Sequence, residues 1–133
     1  MPESALARKM KLKSAAKAVV VNPPDGYLAE LRPLPNGVSL GDKLQGSFDW
    51  IQIFVKNKAE LEKTLPRAIK AMKPVSIQWI SFPKGTSKIQ TDLTRDKGWE
   101  ALEKADLKWL TLVSVNAVWS AFAARPFKSG EAR

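Results

Sequence analysis

Two residue types are missing from this chain of 133 residues: there is no cysteine and no histidine. Without cysteine there is no disulfide framework, no thiolate nucleophile and no Cys-based zinc or iron–sulfur site. Without histidine the commonest general base, the commonest transition-metal ligand and every Ser-His or Cys-His nucleophile pair are gone. Any catalysis would fall to Asp, Glu, Lys, Tyr27 or hydroxyl groups. No long hydrophobic run is present either. The uncharged stretch Leu110 to Ala124 is too short to span a bilayer and is interrupted by Ser114, Asn116 and Ser120. The N-terminus is basic, but Lys17 breaks the apolar stretch that a signal peptide needs. A cytoplasmic location is the expectation.

What is present suits one domain. Hydrophobic residues make up 44% and charged residues 26% of the chain, both ordinary for a globular protein, and the length permits a self-sufficient core. Residues 1–126 are expected to form one α/β domain and residues 127–133 a polar tail. The formal net charge is +9, from 22 basic and 13 acidic residues. The excess is spread along the chain with no dense Lys/Arg run, so solvated surface lysines are the favoured reading and nucleic-acid binding the alternative.

The pattern alternates between strand and helix. Leu6 and Met10 make a short apolar stripe on an N-terminal helix. Lys17 to Val21 is a β-branched run closed by Asn22-Pro23-Pro24-Asp25-Gly26, as a buried parallel strand would be. Tyr27, Leu28 and Leu31 give a short helix ending before Pro33, and a short edge strand is expected near Val38 to Leu40. Phe48 to Val55 reads as a strand buried on both faces. Asn57 and Glu60 then form a capping-box-like start to a helix bearing Leu61, Leu65, Ala68, Ile69 and Met72, with a kink or restart expected at Pro66. Val75 to Phe82 is the next strand. Asp92 or Thr94 should cap a helix that carries Trp99, Leu102 and Ala105, and Lys108–Val115 with Ala117–Arg125 should close a tight antiparallel hairpin. Trp50, Trp79, Trp99 and Trp109 are expected in the core, and Trp119 is placed for a cation–π contact. This order implies a three-layer domain with a mostly parallel sheet.

Two segments carry a resemblance. Phe48-Asp49-Trp50-Ile51 resembles the start of the fourth strand in class I S-adenosylmethionine methyltransferases. Ala71-Met72-Lys73-Pro74, leading into Ser76-Ile77-Gln78-Trp79-Ile80, resembles the entry to their fifth strand. The terminal hairpin looks like theirs. The resemblance implies a Rossmann-like α/β fold with a C-terminal antiparallel hairpin. It does not bring the cofactor site with it. In that family the first strand enters a glycine-rich loop, whereas here Val21 enters Asn22-Pro23-Pro24-Asp25-Gly26, and two prolines remove amide donors. The whole chain is also similar to a bacterial domain-of-unknown-function family of small proteins. Leu6-Ala7-Arg8-Lys9-Met10, Trp79 to Lys84, Thr91 to Asp96 with Trp99, and Val118 to Ala121 with Arg125 carry that likeness.

The loop from Ser81 to Arg95 is the first candidate site. It leaves the C-terminal end of a parallel strand, where open α/β sheets bind ligands, and its Lys84, Gly85, Thr86, Ser87 and Lys88 could hold an anion through charge, hydroxyls and amides. Asp92 and Asp96 are four apart, but capping explains acids in a first turn. No catalytic residue, cofactor or metal is assigned. The expected function is therefore a non-catalytic binding or regulatory module for a small anionic ligand or a protein partner. The alternatives are a nucleic-acid-binding protein and a divergent methyltransferase-like enzyme, the latter requiring a pocket beside Asn22 and Asp49.

Overall fold

The computed structural model describes residues 3–85, 91–94, 97–105, 107–127 and 130. Among these residues six strands form one sheet: β1 (Lys17–Val21), β2 (Ser39–Gly41), β3 (Phe48–Phe54), β4 (Met72–Pro83), β5 (Leu107–Ser114) and β6 (Trp119–Pro126). Their spatial order is β2-β1-β3-β4-β6-β5. The first four are mutually parallel, and β6 lies antiparallel between β4 and β5. The short helices α1 (Ala5–Lys9) and α2 (Tyr27–Leu31) cover one face, and α3 (Lys58–Lys70) with α4 (Glu100–Lys104) covers the other. The result is the three-layer, mostly parallel α/β architecture expected from the alternation, including the terminal hairpin.

The central strands are buried on both faces because both sets of helices lie against them. In β3, Trp50, Gln52 and Phe54 face α1 and α2, while Ile51 and Ile53 face α3. In β4, Trp79 takes the first side and Ile80 and Phe82 the second. Ala121 and Ala123 of β6 sit in the same cluster as the large indoles of Trp50 and Trp79, small residues that make room for large ones. The indole N–H groups of Trp50 and Trp79 both donate to the carbonyl of Met10, at 2.8 and 2.9 Å. This fork fastens the end of α1 to the middle of the sheet. Ser4 caps α1 by accepting from the Ala7 N–H at 3.0 Å.

Helix α3 starts as its sequence implies. Asn57 Oδ1 accepts from the Glu60 N–H at 2.9 Å, and the Glu60 carboxylate reaches back to the Lys56 N–H at 2.6 Å. The expected restart at Pro66 does not occur, and one helix runs from Lys58 to Lys70. Pro66 and Glu62 are both exposed, so water can take the carbonyl that the proline leaves without its helical partner.

Helix α4 departs further from expectation. It has only five residues, begins at Glu100 and has no side-chain cap. Asp92 does not cap it: the carboxylate accepts from the Lys58 N–H at 2.7 Å, in the first turn of α3. Thr94 contributes its carbonyl to the Trp99 indole at 2.6 Å. Leu93 is fully buried. Gly98 closes this turn at a φ of +99°, where an added Cβ would lie 2.7 Å from Leu93 Cδ2 and 2.9 Å from the Asp92 carbonyl oxygen. Gly98→Ala is therefore expected to destabilise the fold by about 1–3 kcal/mol through overpacking and left-handed strain, read as a lower midpoint in urea at unchanged slope. A neutral midpoint would show that the turn yields freely.

Trp109 is not a core residue. It lies on β5, the outermost strand, and is 38% exposed with its ring edge-on to Phe122 and Trp99. Trp119 is buried and packs edge-on to Phe54 at 5.0 Å, so an aromatic ring stands where a cation–π partner was expected.

Candidate functional site

The strand order places a topological switch between β1 and β3. The chain leaves β1 through α2 toward β2 on one side, and leaves β3 through α3 toward β4 on the other. The two connections lie on opposite faces of the sheet and part at the C-terminal strand ends, the usual location of ligand crevices in open α/β sheets. A cleft of about 750 Å³ lies there, lined by Asn22, Pro23, Pro24, Asp25, Phe54, Lys56, Glu60, Val118 and Trp119.

Each wall has a local cause. Asn22 takes a positive φ of 56°, a conformation that asparagine tolerates, and turns the chain out of β1. The Tyr27 N–H then closes the turn on the Pro24 carbonyl at 3.0 Å. Tyr27 anchors this wall: its phenol donates to Gln52 Oε1 at 2.6 Å, and the Gln52 amide donates to Ser81 Oγ at 2.9 Å. Burial pushes the Tyr27 phenol well above its ordinary pKa, so it remains a neutral donor. The opposite wall is the start of α3, where Lys56 and Glu60 are held by the cap already described. The floor is aromatic, with Phe54 edge-on to Tyr27 at 4.7 Å and to Trp119. Asn116 Oδ1 accepts from the N–H groups of Val118 and Trp119 at 2.9 and 3.0 Å, and its amide donates to Glu30 on α2 at 3.1 Å. The polar groups that line the cleft thus include two carboxylates, Asp25 and Glu60, and one ammonium, Lys56.

Of the anion-loop residues, Lys84 and Gly85 are described, while Thr86, Ser87 and Lys88 lie outside the described residues, as do Arg95 and Asp96. Lys84 does not line the cleft and adjoins it through the backbone of Val118. Its N–H donates to the carbonyl of Val118 at 2.7 Å, and its ammonium donates to Ser114 Oγ at 2.6 Å. Gly85 is exposed. Asp49 is not part of the cleft. It opens β3, whereas Asn22 follows the end of β1, so the strands' full length separates them. Asp49 binds the Lys17 N–H and the Lys73 ammonium, both at 2.8 Å, and these contacts hold its carboxyl below the usual range. The pocket beside Asn22 exists, without Asp49.

Among the described residues no helix is long and apolar enough to cross a membrane, and no three acidic side chains gather as a metal site would need. Glu60 was legible in the sequence only as part of a helix start, and Lys56 was not singled out there. Their meeting with Asn22 and Asp25 depends on β1 and β3 being neighbours.

No protein-family profile and no curated protein sequence matches the chain. Solved structures do. The protein of the DhpI–S-adenosylhomocysteine complex superposes with a TM-score of 0.62 at 10% identity, over 92% of this chain and 82% of that one. An S-adenosylmethionine-dependent methyltransferase from Aquifex aeolicus gives 0.55 at 16%, over 90% and 86%. A ribosomal protein L11 methylase from Lactobacillus delbrueckii subsp. bulgaricus gives 0.56 at 11%, over 92% and 76%. This likeness establishes the fold as the Rossmann-like one of class I methyltransferases.

Proposed function

We propose that this chain is a small-molecule-binding module on a methyltransferase-type scaffold, with its ligand in the switch-point cleft. The observation that carries the reading is the cleft itself: a crevice at the sheet's topological switch with an aromatic floor and charges of both signs on its walls. Two carboxylates against one ammonium suit a zwitterion with a flat ring better than a bare anion. The ligand's carboxylate or phosphate would meet Lys56, and its cationic group would meet Asp25 and Glu60.

S-adenosylhomocysteine, named with one of the similar structures, has that chemistry and is the first ligand to test. The charged groups of the cleft fit such a molecule. The loop after β1 does not supply the usual amide cradle, because Pro23 and Pro24 have no N–H. The structural likeness favours a second reading, a divergent methyltransferase, in which the bound cofactor would supply a methyl group and these same residues would orient it.

Isothermal titration with S-adenosylhomocysteine, S-adenosylmethionine, adenosine and methionine tests both readings. Binding is expected to weaken about tenfold, equivalent to about 1.4 kcal/mol, in Asp25→Asn and in Lys56→Met. Absence of heat and of thermal shift with all four compounds at millimolar concentration would overturn the adenosyl reading. Binding without methyl transfer to added protein or RNA would decide for the non-catalytic module.

A further inference from the structure

The N-terminal ends of the parallel strands, at the opposite end of the sheet from the cleft, collect positive charge. Lys11 and Lys13 precede β1, and Lys17 opens it. Arg67 and Lys70 end α3, Lys73 stands near the start of β4, and Lys104 ends α4. Lys108 and Arg125, paired across β5 and β6, lie at the same end. These residues come from segments spread over more than a hundred positions, which is why the sequence shows no basic run. Among the described residues the acids near these cations are Asp49, bonded to Lys73 and to the Lys17 N–H, Glu103, which lines the surface pocket at Trp109, and Glu3, which lies with Lys11 and Lys13. Lys11, Lys13, Lys17, Arg67, Lys70 and Lys104 are exposed. From β1 to β5 the edge crosses four strand spacings, or about 19 Å.

An aromatic ring finishes this edge. Trp109 follows Lys108 on the outermost strand and is half-buried, with one side of its indole held by Phe122 at 4.5 Å and Trp99 at 5.6 Å. A fixed, partly exposed indole next to a line of cations is the arrangement that stacks an unpaired base while lysines track its backbone. A duplex keeps its bases stacked on one another and offers none to the indole.

We infer that this edge binds single-stranded nucleic acid, with the sugar–phosphate backbone along the Lys17–Lys70–Lys104 side and a base on Trp109. The site is separate from the cleft and does not depend on the ligand proposed for it.

Fluorescence anisotropy with labelled oligo(U), oligo(dT) and a duplex of equal length tests this on the full chain. Both single strands are expected to bind more tightly than the duplex, and the ratio of the two tells RNA from DNA preference. If about four phosphates are neutralised, the log–log salt slope is about −3, a loss of roughly fifty-fold for a fourfold rise in salt. Lys70→Glu with Lys104→Glu should weaken binding by at least about tenfold. Lys63→Glu with Lys97→Glu, the same change in net charge away from this edge, should weaken it much less. Trp109→Ala should lose single-strand binding and leave the duplex unaffected, with circular dichroism confirming the fold. No binding at low salt, equal losses from the two charge reversals, tighter binding of the duplex, or full competition by polyglutamate with Trp109→Ala silent would each overturn the inference.

Discussion

Replacing Trp79 by alanine is expected to cost about 3–5 kcal/mol, a large share of the roughly 5–15 kcal/mol that a domain possesses. Trp79 is wholly buried in β4, paired with Gln52 of β3 on one side and Ala123 of β6 on the other. Its removal opens a cavity in the cluster where Trp50, Tyr27 and Met10 meet. It also removes one of the two indole donors that hold the Met10 carbonyl. The second effect separates from the first in Trp79→Phe, which keeps most of the volume and lets Trp50 retain the carbonyl, so its cost should stay near 1 kcal/mol. Chemical denaturation measures both variants. Hydrogen exchange should show faster opening of the amides of Met10 and Leu12 in Trp79→Ala, because α1 is tied to the sheet through this fork. Equal costs for the two variants would mean that the hydrogen bond, not the packing, carries the stability.

The strands β3 and β4 and the start of α3 are legible because their causes are local. A run such as Phe48-Asp49-Trp50-Ile51-Gln52-Ile53-Phe54 can satisfy its side chains only between two covered faces, and Asn57 with Glu60 can close a helix start within four residues. The short α4 is illegible for the opposite reason. Asp92 had two helix N-termini within reach, and the one it took belongs to Lys58, thirty-four positions earlier in the chain. Trp109 was misplaced because a strand pattern does not say where its strand lies in the sheet. At the edge, beyond β6, the same apolar alternation meets solvent. Pro66 is a milder case: its effect depends on whether the released carbonyl faces water.

The candidate site divides in the same way. Asn22-Pro23-Pro24-Asp25 was readable as the absence of a glycine loop, since proline's missing N–H is a property of the residue itself. Its role as one wall of a cleft was not, because that requires β1 beside β3 and the divergence of α2 and α3 to opposite faces. The basic edge shows the same dependence on topology: only strand order brings Lys17, Lys70 and Lys104 to one end of the sheet.

Gln52 connects core and cleft, and Gln52→Leu is expected to cost about 1–3 kcal/mol through the hydrogen bonds it removes from two buried hydroxyls. Gln52 is fully buried in β3, an unusual place for an amide. Both ends are used, one accepting from Tyr27 and the other donating to Ser81. Leucine would nearly fill the volume, so the loss would come mainly from the Tyr27 hydroxyl, which keeps only its 3.7 Å bond to Met10 Sδ, and from the Ser81 hydroxyl, left away from water without its donor. Removing the first of these groups should recover part of the cost. Tyr27→Phe in the Gln52→Leu background is expected to be less harmful than Tyr27→Phe alone, and a double-mutant cycle in urea measures that coupling. Strict additivity would show that the two side chains are neighbours without being partners. Because Tyr27 also closes the turn onto Pro24, the single variant should loosen the Asn22–Asp25 wall. Ligand affinity at the cleft would then fall by more in Gln52→Leu than in the double variant, although neither altered position lines the cleft, which makes the amide a positioning residue for the site as well as a core one.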